Sequence, residues 1–546
     1  MAKLLATQLL QQWKEALKTM PPGLTQAAKI LVGEEITSNK VLITITLAWV
    51  LFLVARVCFG TRKNLPPAIP GGLPVLGNLL QLTEKKPHRT FTAWAQKHGP
   101  IFTIKVGAIT QVVINNSEIA KEAMVTKYAS ISQRKMPMAL QVLTRDKTMV
   151  AMSDYGDEHR MLKKLVMTNL LGLNTQNKNR SLREEALVGM VDGVLTELKG
   201  YPESTGVVNV RDYIQRALFP FAMIQVWGYV PDQLDVPELG TRLSTWDMFD
   251  ALVVAPLRAV INVDWRDFFP ALKWIPNPSV EGEVRGVDFT RNAIMSALIR
   301  EQRKRLANLE GPPRFYADIL LTEATHLTEK QLVMSLWEPI IESSDTTLVT
   351  SEWAMYELAK NPECQDRLYK EIVSVVGTDR MVTEDDLPNM PYLKAVIKET
   401  LRQYPPVPLV PSRLVEEDIT LGGYDIPKGY EILVNLFAIA KDPAVWSNPD
   451  KWDPERVLGD NTLDMGFKNF NLMPFGAGKR MCAGISQAMF IIPMNLAALV
   501  QHCEWRLSPQ EIDNMNKKIE DVIYLTTHKL KALTCVATPR VAHRLP

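Results

Sequence analysis

The stretch Phe475 to Gly484, FGAGKRMCAG, sets one cysteine among three glycines, two cations and an aromatic ring. A lone free cysteine most often acts as a small buried hydrophobe. Here the neighbours favour chemistry. Gly476, Gly478 and Gly484 let the backbone approach another group closely. Lys479 and Arg480 put positive charge beside Cys482, and a helix is expected to begin directly after it, offering unpaired N–H groups and the positive end of its dipole. These features are expected to favour thiolate over thiol. Such a thiolate could be a nucleophile, although no histidine is near in sequence. It could equally ligate a metal, although no second cysteine stands at zinc spacing.

Two further groupings have the right residue types. Glu399 and Arg402 form E-x-x-R, a spacing that puts both on one face of a helix. Taken alone, such a pair is more often an ordinary surface contact. Glu342 to Thr347, ESSDTT, is a polar run between apolar helical flanks. Its bland reading is a helix break capped by Ser344 or Asp345, and Pro339 one turn earlier is expected to interrupt the helix.

The elements that must position these groups read as mostly helical. A helix is expected around TFTAWAQKH, followed by a strand pair in IFTIKVGAITQVVIN with its turn near Gly107. Ser117 is expected to cap the next helix. Helical periodicity then dominates to about residue 405, clearest in VDFTRNAIMSALIREQRKRL, LTEKQLVMSLWEPII, SEWAMYELAKN and PYLKAVIKETLRQY. Short strands and turns follow in ITLGGY and YDIPKGYEILVN, and a last helix is expected over residues 485–502. The fold class is mainly α with small β-sheets.

Composition narrows the function. The 546 residues are 46% hydrophobic and 22% charged, with a net charge of +2, so no basic field points to nucleic acid. Five scattered cysteines fit a reducing compartment. No G-x-G-x-x-G follows a strand, which argues against a built-in nicotinamide or flavin site. Residues 41–60, VLITITLAWVLFLVARVCFG, are long and apolar enough for a single transmembrane helix. The cations after it, Arg56, Arg62 and Lys63, place the body on the cytosolic side. The expected organisation is an extension (1–40), an anchor (41–60), a Pro-rich hinge (61–80) and a catalytic body (81–546).

PFGAGKRMCAG meets every fixed position of the haem-binding loop of the cytochromes P450, F-x-x-G-x-R-x-C-x-G, and the chain resembles that family from about Leu65 to residue 540. The resemblance implies the cytochrome P450 fold, with haem b (iron protoporphyrin IX) as cofactor and Cys482 as axial thiolate of the iron. Phe475 would cover the sulfur, and the loop glycines would let N–H groups donate to it. Arg480 and Arg413 would pair with haem propionates, with His159 and Lys163 standing where the family usually has W-x-x-x-R. Glu399, Arg402 and the Arg456 of a P-E-R segment match the family's structural ionic lock. Asp345 and Thr346 match its acid–Thr pair, which supplies protons while dioxygen is cleaved. Glu342 and Ser343 depart from the small residues usual before that pair.

Segments such as EKKPHRTFTAWAQKHGPI and DWRDFFPALKWIPN resemble the plant ent-kaurene oxidases. That subfamily oxidises one methyl of a tetracyclic diterpene through alcohol and aldehyde to ent-kaurenoic acid, for gibberellin-type hormones. Ser343, Thr347, Val407, Leu409, Val410, Leu525 and Thr526 are the expected pocket residues. The implied partners are NADPH-cytochrome P450 reductase, dioxygen, an apolar diterpene and a membrane, either endoplasmic reticulum or outer chloroplast envelope. The alternatives are a membrane monooxygenase of another terpenoid or apolar substrate, and a thiolate-haem protein that rearranges peroxides or binds haem without activating oxygen.

Overall fold

In the computed structural model, residues 64–540 are described, apart from 83–85, 262–263, 309–310, 460–464, 467, 517–520, 524–525 and 530. The expected anchor, the extension before it and Leu525 lie outside these residues. No helix among the described residues is long and apolar enough to cross a membrane.

Nine helices of ten or more residues build the body among the described residues: α1 (Pro87–His98), α2 (Asp157–Val166), α3 (Arg180–Leu198), α4 (Val210–Trp227), α5 (Pro278–Ala307), α6 (Glu329–Lys360), α7 (Pro362–Val376), α8 (Pro391–Gln403) and α9 (Ile485–His502). The central element is α6. It opens on a capping box, in which the Thr328 hydroxyl accepts from the Gln331 amide (3.2 Å) and the Gln331 side chain accepts from the Thr328 amide (3.0 Å). Every residue from Thr347 to Ala359 is buried, so this half of α6 is surrounded on all faces, as a core helix must be. One large core joins α6 to α3, α4, α7, α8 and α9. Trp505 within it is fully buried, and truncating such a side chain to alanine costs about 3–5 kcal/mol.

The expected break at Pro339 does not occur: α6 runs unbroken from Glu329 to Lys360. Proline removes one ladder hydrogen bond and strains the turn before it. Burial of the flanking residues outweighs that local cost. The polar run is therefore a helix interior, where Ser343 Oγ donates to the Pro339 carbonyl (2.6 Å) and Ser344 Oγ to that of Ile340 (2.7 Å).

A five-stranded sheet has the order Ile101–Val106, Ile109–Ile114, Glu431–Val434, Arg413–Leu414, Gln133–Arg134. Its first two strands are the expected hairpin. Gly107 at the turn has φ +63°, and a Cβ there would meet the Phe268 carbonyl oxygen at 2.5 Å, so only glycine fits. The next helix is capped by Asn116, whose side chain accepts from the Ile119 amide (3.1 Å), and not by Ser117. The Pro-rich strap lies along the first strand, with Thr103 donating to Pro67 (2.8 Å) and Ile69 to Thr103 (3.0 Å). A second sheet joins Gly206–Asn209, Thr534–Pro539 and Cys503–Leu507. The sheet edge at Arg134 and Arg413, the middle of α6, the face of α2 and the loop before α9 all meet at one cavity.

Candidate active site

The cavity has a volume of about 340 Å³ and is lined mainly by apolar side chains. Cys482 forms part of its wall. The sulfur is accessible yet enclosed by protein, so its open face is the cavity. The loop that presents it closes with a hydrogen bond from the Cys482 amide to the Phe475 carbonyl (3.0 Å). Gly478 has φ +69°, and a Cβ would lie 2.4 Å from the Met124 carbonyl oxygen, so this glycine is a geometric necessity. Gly476 (φ +72°) and Phe475 also line the cavity, and Gly484 leads into α9.

Burial and neighbouring groups act together on the Cys482 sulfur. Burial pushes the thiol up to about 11, against the Gly484 amide and Lys163, which pull it down. The Arg480 guanidinium donates to the Ser132 carbonyl (2.9 Å) and the His159 ring (3.2 Å). The loop alone thus holds a thiol. A thiolate at this depth needs a cation bonded to it, the service a metal ion performs for a coordinating thiol.

At one edge of the cavity positive groups crowd together. Arg413 is buried, and its Nε and one terminal nitrogen have no partner. Arg480 Nε is likewise unpaired. Arg134, which the sequence reading missed, is the cross-strand partner of Arg413 and is also buried. It donates to the carbonyls of Pro411 (2.8 Å) and Ala151 (3.2 Å). Burial, then Arg480, brings the Arg413 guanidinium down to about 10. Burial followed by Arg413 and Arg480 pulls Arg134 well below its usual value. Burial followed by Arg480 and Lys163 brings His159 down to about 4. Arginine can only donate, so His159 Nδ1 carries a lone pair and the ring is neutral. Lys163, one turn along α2, donates to the Lys479 carbonyl (3.1 Å), and burial and Arg480 lower its pKa. Unpaired buried guanidinium groups are costly. An anion with several oxygens at this edge would satisfy them. A flat apolar macrocycle carrying two carboxylates and a thiolate-seeking iron fits all three features: the sulfur, the apolar walls and the cationic edge.

Above the sulfur runs α6. Asp345 is buried and doubly held: Thr526 Oγ1 donates to one oxygen (2.6 Å), and His528 Nε2 lies 2.8 Å from the other. His528, which comes from the strand Thr527–Lys529 near the C-terminus, carried no sequence signal. Thr346 also lines the cavity, and its hydroxyl donates to the Glu342 carbonyl (3.0 Å). Ser343, Thr347, Val407, Val410 and Thr526 are lining residues as expected. Leu409 is not. Its segment bridges to Asn435, and the side chain packs instead with Phe268, Leu433 and the core of the first strands. Neighbours in extended backbone point to opposite sides, which sends Leu409 away from the cavity.

The ionic lock assembles behind the site. Arg402 donates to both oxygens of Glu399 (2.8 Å each), and Arg456 Nε reaches the same carboxylate (3.3 Å). Glu399 and Arg402 are fully buried. The spare donors of Arg402 reach the carbonyls of Ala440 (2.9 Å) and Pro449 (2.8 Å), tying α8 to the segment before the cysteine loop.

The family model for Cytochrome P450 matches residues 66–535. An ent-kaurene oxidase of Salvia miltiorrhiza is 47% identical to this chain over 88% of it and 90% of that relative. Ent-kaurene oxidase 2 of Oryza sativa subsp. japonica is 46% identical over 88% and 92%. An ent-sandaracopimaradiene 3-hydroxylase of the same rice is 45% identical over 87% and 91%. Among solved structures, a zebra fish cytochrome P450 with abiraterone has a TM-score of 0.66 at 23% identity, covering 84% of this chain and 100% of that one, a likeness of fold.

Proposed function

The chain belongs to the cytochrome P450 family, and from that premise we propose that it is a monooxygenase oxidising the C19 methyl of ent-kaurene in three steps, through alcohol and aldehyde, to ent-kaurenoic acid. The observation that carries the enzymatic reading is the meeting of Cys482 with the Arg134, Arg413 and Arg480 cluster at one apolar cavity. The substrate reading draws support from the identity to ent-kaurene oxidases over nearly nine-tenths of the chain.

Cys482 would ligate the iron of haem b, and Arg134, Arg413, Arg480, His159 and Lys163 would hold its propionates. When bound, thiolate-ligated haem activates dioxygen and supplies one of its oxygen atoms to a C–H bond. The chain's own residues do the rest. Met124, Val407, Val410 and Leu257 give an apolar wall that binds a hydrocarbon by shape and excludes water. Asp345 is kept in place by Thr526 and His528, and with the neighbouring Thr346 it would serve as the acid–Thr pair that passes protons on. Because that hydroxyl already donates to Glu342, its lone pairs are left to accept. The lock of Glu399, Arg402 and Arg456 fixes the segment before the cysteine loop.

Electrons would come from NADPH-cytochrome P450 reductase, docking near Lys163 and the exposed Lys479, so turnover should weaken as salt rises. The apolar stretch 41–60 would tether the chain to the endoplasmic reticulum or outer chloroplast envelope. A second reading, oxidation of a related diterpene at a ring carbon, is favoured by the 45% identity to the 3-hydroxylase. Microsomes containing the chain, reductase and NADPH are fed ent-kaurene or ent-sandaracopimaradiene, and products are read by mass spectrometry. Acid from ent-kaurene supports the first reading. Product from the second diterpene alone supports the other. Cys482→Ala should abolish both products together with the sulfur-specific Soret band of the reduced carbon monoxide complex.

A further inference from the structure

The cavity carries two adjacent carboxyl groups, one buried and one exposed to it, that the family pattern does not require. Glu338 and Glu342 are four residues apart on α6 and share a face. Glu338 is buried, and each of its oxygens accepts a backbone amide, from Ala151 and Val150 (2.8 Å each). Glu342 hydrogen-bonds to Glu338 and reaches into the cavity, enclosed by protein. Two adjacent carboxyl groups in a low-dielectric site cannot both ionise. Glu338, already served by two amides, is the better place for the negative charge. The shared proton therefore rests on Glu342, whose remaining oxygen is open to a ligand.

Most other polar groups on this part of α6 are already committed. Ser343, Ser344 and Thr346 hydroxyls donate to the carbonyls of Pro339, Ile340 and Glu342. Asp345 is taken by Thr526 and His528. We propose that Glu342, backed by Glu338, is the hydrogen-bonding group that retains the oxygenated intermediates of the substrate between successive oxidations. This rests on the three-step reading above. A hydrocarbon makes no use of the carboxyl. A primary alcohol donates its O–H to the free oxygen of Glu342. An aldehyde accepts from the carboxyl O–H once it turns toward the cavity. The final carboxylate faces the negative charge of the pair and is the species least held, which suits release.

The test is equilibrium dialysis of the holoenzyme in lipid nanodiscs against ent-kaurene and its 19-alcohol. Wild type should prefer the alcohol, and Glu342→Leu should weaken alcohol binding about tenfold relative to the hydrocarbon, the loss of one hydrogen bond of about 1.4 kcal/mol. Glu342→Gln, which keeps a donor and an acceptor, should lose only a few-fold and covers the case in which the leucine variant fails to take up haem. In turnover, Glu342→Leu should release alcohol and aldehyde where wild type releases acid. An infrared carboxyl band that shifts when alcohol binds and is missing in Glu342→Gln would locate the proton. The pair 1-adamantanemethanol and 1-methyladamantane gives the same comparison without a diterpene, so failure of the substrate reading leaves this arm intact. An alcohol-to-hydrocarbon ratio unchanged in Glu342→Leu, or no alcohol preference in wild type with either pair, overturns the proposal.

Discussion

Arg134 and Arg413 stand directly opposite each other across an antiparallel strand pair, both buried, with Asp154 beside them accepting from the Arg134 amide (2.9 Å). Like charges in that register repel. Arg480 adds a third positive group at the same edge. The arrangement makes sense as a receptor for an anion: much of the repulsion disappears once carboxylate oxygens accept from the unpaired Arg413 and Arg480 nitrogens.

Arg413→Met or Arg134→Met should therefore loosen haem rather than unfold the chain. Removing one charge-assisted hydrogen bond costs about 1.5–3 kcal/mol, or roughly 10- to 100-fold in haem affinity. Haem transfer to an excess of an acceptor protein measures it. An unchanged transfer rate for Arg413→Met would show that its free nitrogens do not face the propionates.

The Glu399–Arg402 pair is fully enclosed, so breaking it leaves a buried charge alone. Arg402→Leu should lose about 3–5 kcal/mol and most of the folded holoprotein. Arg456→Leu should cost less, because its contact is longer (3.3 Å) and its side chain partly exposed. Urea unfolding followed by the Soret band ranks the two.

Asp345→Ala removes the carboxylate that Thr526 and His528 converge on. Turnover should fall about 10²-fold while haem and substrate still bind, and NADPH should be consumed with less product. His528→Ala should show a smaller loss of the same kind. Product formed per NADPH oxidised is the measurement.

His159 is held neutral, and its folded pKa of about 4 lies below the unfolded value near 6.5. As pH falls below 6.5 the unfolded chain takes up a proton that the folded chain refuses. Stability is thus lost between pH 6.5 and 4, and is level below that. In the chain without haem, wild type should lose up to about 3 kcal/mol more than His159→Gln over this window. Urea midpoints at several pH values check the sign. Propionates bound beside Arg480 should shrink the difference.

The parts of the site that could be read along the chain are those whose partners are close in sequence. The cysteine loop has its glycines, cation and sulfur within ten residues. Glu399 and Arg402 are one helical turn apart, and the last helix begins and ends where its periodicity says. Such groups owe their geometry to local backbone, so residue type and spacing already specify it. Two expectations failed where distant contacts overruled local preference. Pro339 is carried inside a buried helix, and Leu409 turns into the core of the first strands.

What the sequence by itself determined was the chemistry available: a loop built to present sulfur, an acid beside a threonine, a helical body around them. The tertiary structure decided which charges meet. Arg134 reaches Arg413 across 279 residues of chain, Glu338 finds the amides of Val150 and Ala151, and Asp345 finds His528. Burial sets the strength of those encounters, because a charge removed from water is governed by whichever neighbour the fold brings within a few ångströms.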